Sequence, residues 1–288
     1  MKRFSLFSIC ITLILLISLP GYSQLKTTRS TKKPLIIIEA NGDVDLAMMQ
    51  LRGDNVQEFW NFTNYSQNIG FGGEIKVKMS VASWKREQLR TYFTLGYSQY
   101  SSDKDSRAYV PTGYIGEGWP GTGFNGTGTY TPTDTTGTSQ LRINIPYAAL
   151  GIEYAIYTDK RLLSSFNFGF DIAVSVIFGR ETETYGYNIP GVGSAGTEVE
   201  HNIKSNSRFG IGLNAIYNYR LSKAFGFNVG TRFQWANLLG KSDDASTGDG
   251  KIFLLDDGDG SLNSNLINSR NIGFLRFFAG ASFYIGAM

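Results

Sequence analysis

The sequence predicts an all-β molecule: an eight-stranded antiparallel transmembrane β-barrel, with short periplasmic turns and long extracellular loops. Three observations predict it. Apolar residues recur at every second position in segments long enough to cross a bilayer. The connections between those segments alternate between short and long. An apolar run behind two basic residues opens the chain and marks it for export.

The export segment comes first. Lys2 and Arg3 precede an almost unbroken apolar run from Phe4 to Leu19, and the small residues Gly21 and Ser23 follow. This is the layout of a signal peptide, residues 1–23, cleaved near Ser23–Gln24. The single cysteine, Cys10, falls inside it, so the mature chain is expected to have no thiol for a disulfide or a metal. Residues 24–34 carry Lys26, Arg29, Lys32 and Lys33 and read as a periplasmic leader. Residues 35–288 then form one barrel domain.

The strands follow from period-two alternation. In the first, Ile36, Ile38, Ala40, Val44, Leu46 and Met48 oppose Glu39, Asn41, Asp43 and Asp45. In the second, Ile69, Phe71, Ile75, Val77, Met79 and Val81 oppose Glu74, Lys76 and Lys78. Leu89 to Tyr97 makes the third. The clearest is the fifth, where Phe166, Phe168, Phe170, Ile172, Val174, Val176 and Phe178 alternate with small or polar residues. A tilted strand needs about 9–11 residues to cross a membrane, and these segments reach that length. Phe209–Tyr219, Phe225–Trp235 and Leu275–Ile285 repeat the pattern. The fourth strand changes phase: Ile143, Ile145 and Tyr147 are odd, whereas Leu150, Ile152, Tyr154 and Ile156 are even. A β-bulge near Ala148–Ala149, beside Pro146, would restore its register.

Between strands, Ser83–Glu87, Thr158–Arg161 and Leu221–Ala224 are short, whereas 50–68, 101–140, 180–206 and 237–270 are long. Short turns are periplasmic and long loops extracellular in membrane barrels. An even number of strands puts both termini in the periplasm.

With eight such segments in hand, residues 35–286 resemble the small outer-membrane β-barrel family, the OmpA/OmpX-like group. The final strand adds a sharper match. Gly280, Phe283 and Ile285 fit the family's C-terminal signal for the barrel-assembly machinery. Phe278 stands where that signal has a polar residue, and Gly286-Ala287-Met288 extends past its usual aromatic end. The resemblance implies an outer-membrane protein of a Gram-negative bacterium, with membrane lipid and the assembly machinery as partners.

The strand phases send Glu39, Asp43, Asp45, Glu74, Glu153 and Asp171 into the lumen, with Lys76, Lys78, Arg90, Arg142, Arg220, Arg232 and Arg276. Eight strands enclose a space that side chains can fill. Charges there persist when paired and hydrogen-bonded. An internal ion-pair network that plugs the barrel is therefore expected, the alternative being a polar ion path.

Other chemistry is sparse. Charged residues make up 18 % of the chain and the net charge is +3, so an exported chain of this kind is no candidate for nucleic acid. The runs Gly121, Gly123, Gly126 and Gly191, Gly193, Gly196 match a dinucleotide motif but stand in predicted loops, without the strand and helix that motif needs. His201, the only histidine, has Glu198, Glu200, Ser205 and Ser207 nearby in sequence, a weak pattern for a lipid-modifying hydrolase. Asp257, Asp259, Ser261 and Asn263, after Asp256, partly resemble a calcium loop, though leucines at 255 and 266 stand where two ligands would be. Tyr109, Tyr114, Trp119, Phe124 and Tyr130 could bind a surface glycan or protein, or pack over the barrel mouth. The expected function is a non-enzymatic barrel acting through its loops. A narrow channel and a lipid-modifying enzyme are the alternatives.

Overall fold

The computed structural model describes residues 32–49, 51–52, 67–102, 105–107, 135–189, 193–239 and 271–286. The predicted signal peptide and most of the leader lie outside them. So do the calcium-like run at Asp257, Asp259, Ser261 and Asn263, the loop aromatics Tyr109 to Tyr130, and the first glycine motif.

The strands are β1 (Ile36–Met49), β2 (Ile69–Ser83), β3 (Glu87–Ser101), β4 (Asp105–Arg107), β5 (Thr135–Tyr157), β6 (Ser164–Ile189), β7 (Gly193–Arg220), β8 (Phe225–Leu239) and β9 (Ile272–Ile285). All pair antiparallel, each with its neighbour in sequence, apart from two pairings. β1 pairs with β9 over Ile36↔Ile285 to Met49↔Ile272, and β3 pairs with β5 over Glu87↔Ile156 to Ser101↔Arg142. Those pairings close a ring of eight strands. The short β4 adds to β5 alone, beyond the ring. Closure leaves no unpaired edge in the membrane-crossing part, which a bilayer requires because lipid cannot satisfy free backbone groups.

Two expectations need correction. No bulge interrupts β5 near Ala148–Ala149, because its register with β3 runs unbroken. Odd residues face inward from Leu141 to Tyr157. Leu141, Ile143, Ile145 and Tyr147 are buried in the interior, and Arg142 lies between them on the outer face, not in the lumen. The physical reason is an apolar cluster at the loop end of the lumen. There Ile143 and Ile145 join Ala47, Leu51, Tyr100, Ile177, Ala236, Ile272 and Phe274. Irregularities occur instead between Ser80 and Ala82, Ile177 and Gly179, and Phe209 and Ile211.

The second correction concerns 180–206. It is not a loop but the outer part of a hairpin. β6 and β7 stay paired from Gly179↔Ile203 to Ile189↔Gly193, and only residues 190–192 separate them. Thr182, Thr184, Tyr185, Tyr187 and Val199 are strand formers, so the segment pairs with itself although its sequence lacks a period-two apolar stripe.

Both described chain ends sit at the short-turn end. There the Leu35 amide donates to the Ile285 carbonyl at 3.2 Å.

Candidate functional site

The lumen is the candidate site, and alternation builds it. In every ring strand the residues between the outward apolar ones point to the axis. Their side chains reach across rather than along the wall.

Nearest the short turns, the Lys78 ammonium lies between Glu39 at 2.8 Å and Glu153 at 2.7 Å. Arg90 contacts the other oxygen of Glu153 at 3.0 Å. Arg90 also donates to Gln88 Oε1 at 2.9 and 2.7 Å and to the Tyr157 hydroxyl at 2.9 Å. Asn218 on β7 donates to Glu39 on β1 at 2.7 Å, across two intervening strands.

In the middle, Glu74 is the hub. Lys76, Arg276 and Arg232 approach it at 3.4, 3.1 and 3.6 Å, and the Tyr147 hydroxyl donates to it at 2.7 Å. Arg232 also pairs with Asp171 at 2.6 Å, and Tyr92 donates to that carboxylate at 2.8 Å. The Lys76 ammonium rests over the rings of Tyr92 and Phe278, at 5.1 and 5.5 Å.

Towards the loops, Arg276 pairs with Asp45 at 3.0 Å and Asp43 at 3.4 Å, and donates to Ser98 and Tyr147. Tyr100 donates to Asp45 at 3.1 Å. Above this level the lumen is filled by the apolar cluster around Ile143, Ile145 and Phe274.

Of the thirteen residues assigned to the lumen, twelve have buried side chains. Arg142 does not belong to the set. Arg220 stands apart from the ion pairs at the turn-end mouth, where it donates to the carbonyls of Lys32, Ser222 and Lys223. Sequence reasoning missed Tyr92, Tyr100 and Tyr147, whose hydroxyls satisfy carboxylates. The inward phase of Tyr92 and Tyr100 was legible and that of Tyr147 was hidden by the expected bulge, and an aromatic ring carries no signal of which acid it will meet. It missed Lys33 too, whose ammonium enters the β2–β3 turn and donates to Ser83 Oγ at 3.1 Å, the Glu87 carbonyl at 2.9 Å and the Trp84 carbonyl. A cavity of about 10 Å³ remains beside Arg90, Arg220 and Tyr284, roughly the room one water needs.

The remaining candidates within the described residues lie on β7. His201 stands on β7 opposite Glu181. Ser205 and Ser207 follow it on the same strand, roughly 13 and 20 Å further along the backbone by strand rise. Glu200 pairs with Arg180 at 3.0 Å on the surface. Gly193 and Gly196 open a strand, not the helix a dinucleotide motif requires.

The outside is the reverse of the lumen. Phe71, Leu150, Val81, Ile152, Ile172 and Ile75 are each more than half exposed, and outward apolar residues continue around the ring. A soluble surface rarely carries apolar patches beyond a few hundred Å². A closed cylinder with an apolar outside and a charged inside matches lipid around it. The chain folds as a transmembrane β-barrel.

No protein-family model matches the chain, and no curated protein matches it in sequence. Among solved structures the barrel is similar to Neisserial surface protein A, at 11 % identity and a TM-score of 0.39, over 87 % of this chain and 97 % of that one. It is similar to a major outer membrane protein from Thermus thermophilus, at 12 % identity and a TM-score of 0.37, over 86 % and 99 %. It is also similar to the outer membrane protease OmpT from Escherichia coli, at 11 % identity and a TM-score of 0.34, over 91 % and 100 %. Similarity at this level extends no activity to the chain.

Proposed function

We propose that this barrel is a sealed, non-enzymatic anchor in the outer membrane, holding its loop-end segments at the cell surface in a structural or adhesive role. The observation that carries the reading is the cross-lumen pairing. Glu74, Asp171, Arg232 and Arg276 come from four strands and meet near the axis, with an apolar cluster above them. An ion entering would have to separate buried pairs and then pass an apolar plug, and breaking either is costly. The extended β6–β7 hairpin supports a role at the loop end, since it carries the chain past the wall of the ring. In this reading the short turns and both chain ends face the periplasm, and the barrel-assembly machinery delivers the chain.

Planar-bilayer recording of the purified protein at neutral pH tests the seal. Silence or rare small openings are expected. Reproducible nanosiemens steps would replace the anchor by a channel.

A further inference from the structure

The short-turn end has a charge pattern that the sealed lumen does not explain. Each of its three turns carries exposed cations: Lys85 and Arg86 after β2, Lys160 and Arg161 after β5, and Lys223 after β7. The acids among the described residues of these turns are Glu87 and Asp159, two against the five cations. Asp159 accepts from the amides of Arg161, Leu163 and Ser164 at 3.0, 2.8 and 2.9 Å, and the Tyr154 hydroxyl bonds to Glu87. Two more cations, Lys33 and Arg220, close the mouth with their protons given mainly to backbone carbonyls. Carbonyl contacts solvate these charges without cancelling them.

Position gives the pattern its meaning. Lys85 and Arg86 come four and five residues after lipid-facing Val81. Lys160 follows lipid-facing Ile156 by four residues, and Lys223 precedes lipid-facing Phe225 by two. The interfacial layer beyond the hydrocarbon is roughly 5–7 Å deep on each side of a bilayer. Side chains of this length, leaving strand ends at that level, reach the phosphate plane. Just inside it, Trp84, Tyr154, Phe166, Phe225 and Phe283 are exposed on the outer wall, Trp84 to 52 %. Aromatic residues below and cations above describe a lipid interface more closely than a protein-binding face, which would present its charges on the end of the cylinder away from the belt.

We propose that the short-turn rim binds anionic phospholipid headgroups of the leaflet it faces, through Lys85, Arg86, Lys160, Arg161 and Lys223, with Trp84 seated among the adjoining chains. This inference does not depend on whether the lumen conducts.

Trp84 supplies the readout. The protein is refolded into vesicles containing chain-brominated phosphatidylglycerol or chain-brominated phosphatidylcholine, and tryptophan quenching is measured. The part lost in Trp84→Phe isolates the turn end. Phosphatidylglycerol is expected to be preferred by about fivefold or more at low salt, the factor one cation gains at an anionic surface. The preference should fade near 1 M salt, where the Debye length is about 3 Å. It should also fall in the combined variant with all five cations changed to Gln. Equal quenching by the two lipids at low salt would overturn the proposal, as would a preference that survives 1 M salt or the fivefold change. If the combined variant does not refold, Lys223→Gln and the salt titration of the unaltered protein decide. Soluble glycerol phosphate should not relieve the quenching. If it does, the rim holds phosphate alone and the claim for lipid fails.

Discussion

At Arg276 one guanidinium meets three carboxylates, Asp43, Asp45 and Glu74, with no solvent to share the load. Arg276→Met would leave those acids facing one another in a low-dielectric space. A loss of about 3–5 kcal/mol is expected, the usual cost of removing one member of a buried ion cluster. Denaturant unfolding in detergent or lipid measures it, and an unchanged midpoint would show that the acids are neutral or solvated. Asp159 offers a milder case outside the membrane. Burial pushes its carboxyl up, but hydrogen bonds from Ser164, Leu163 and Arg161 outweigh burial and hold it below the usual carboxylate range. A lowered folded value means the stabilisation is present above the unfolded pKa of about 3.9 and is lost as pH falls through the folded value. Asp159→Ala should therefore cost about 1 kcal/mol at neutral pH, since the site is partly solvated. Heat-denaturation midpoints of variant and wild type should converge in acid and differ again on return to neutral. A constant gap across the range would assign the effect to packing.

Strands differ in how much of themselves the sequence discloses, and the difference has a cause. Along β6, lipid demands an apolar residue at every outward position, so Phe166 to Phe178 can be read directly and the inward Asp171 follows. Along β5 that logic holds only up to Ala148. Above it the interior is apolar too, and Ile143 and Ile145 look like lipid-facing residues in the wrong phase. Hydrophobicity says that a residue avoids water; it does not say whether lipid or a protein core receives it. The outer β6–β7 hairpin fails the reader for the opposite reason, since its sequence carries no period-two apolar stripe and its polar composition resembles a loop. The charged lumen was legible because each of the acids and bases assigned to it from its strand phase, Arg142 apart, has at least one outward apolar neighbour in sequence. Its tyrosine partners were not, because geometry alone chooses them. Two substitution pairs test these assignments. Val174→Arg, on the lipid side, should impair assembly by about 2–4 kcal/mol near the midplane, and Ser175→Arg should also fail, for lack of room in a filled lumen. Normal surface levels and heat stability of Val174→Arg would reverse the facing of β6. On β5, Ile145→Asp should destabilise far more than Asn144→Asp, because Ile145 is 0 % exposed whereas Asn144 lies outside, bonded to Tyr97 and Gln99. The opposite order in unfolding would restore the bulge.

For the whole molecule the topology makes an accessibility prediction. Protease added to intact cells should cut, if anywhere, in the loop-end connections, and spare the turns after β2, β5 and β7. Fragments ending near Arg86, Arg161 or Lys223 in sealed cells would turn the barrel over in the membrane.

The seam between β1 and β9 has a further consequence. Ile36 and Ile285 are partners, yet they lie 249 positions apart in sequence (285 − 36). Strands that pair at such a distance meet late, because the closing entropy of a long chain must be met before any contact rewards it. Until β9 arrives, β1 presents an open edge, and that edge has to be sheltered or it will recruit a foreign strand. Once the seam zips, the turn-end termini of β1 and β9 lie side by side. Leu35 and Ile285 already share a hydrogen bond, so a few added residues could join them, and the chain could be cut anew at any short turn. A circular permutant opened between Lys160 and Arg161 should reach the same ring by a different order of arrival, with refolding rate recording the change beyond what loss of the Arg161–Asp159 contact accounts for.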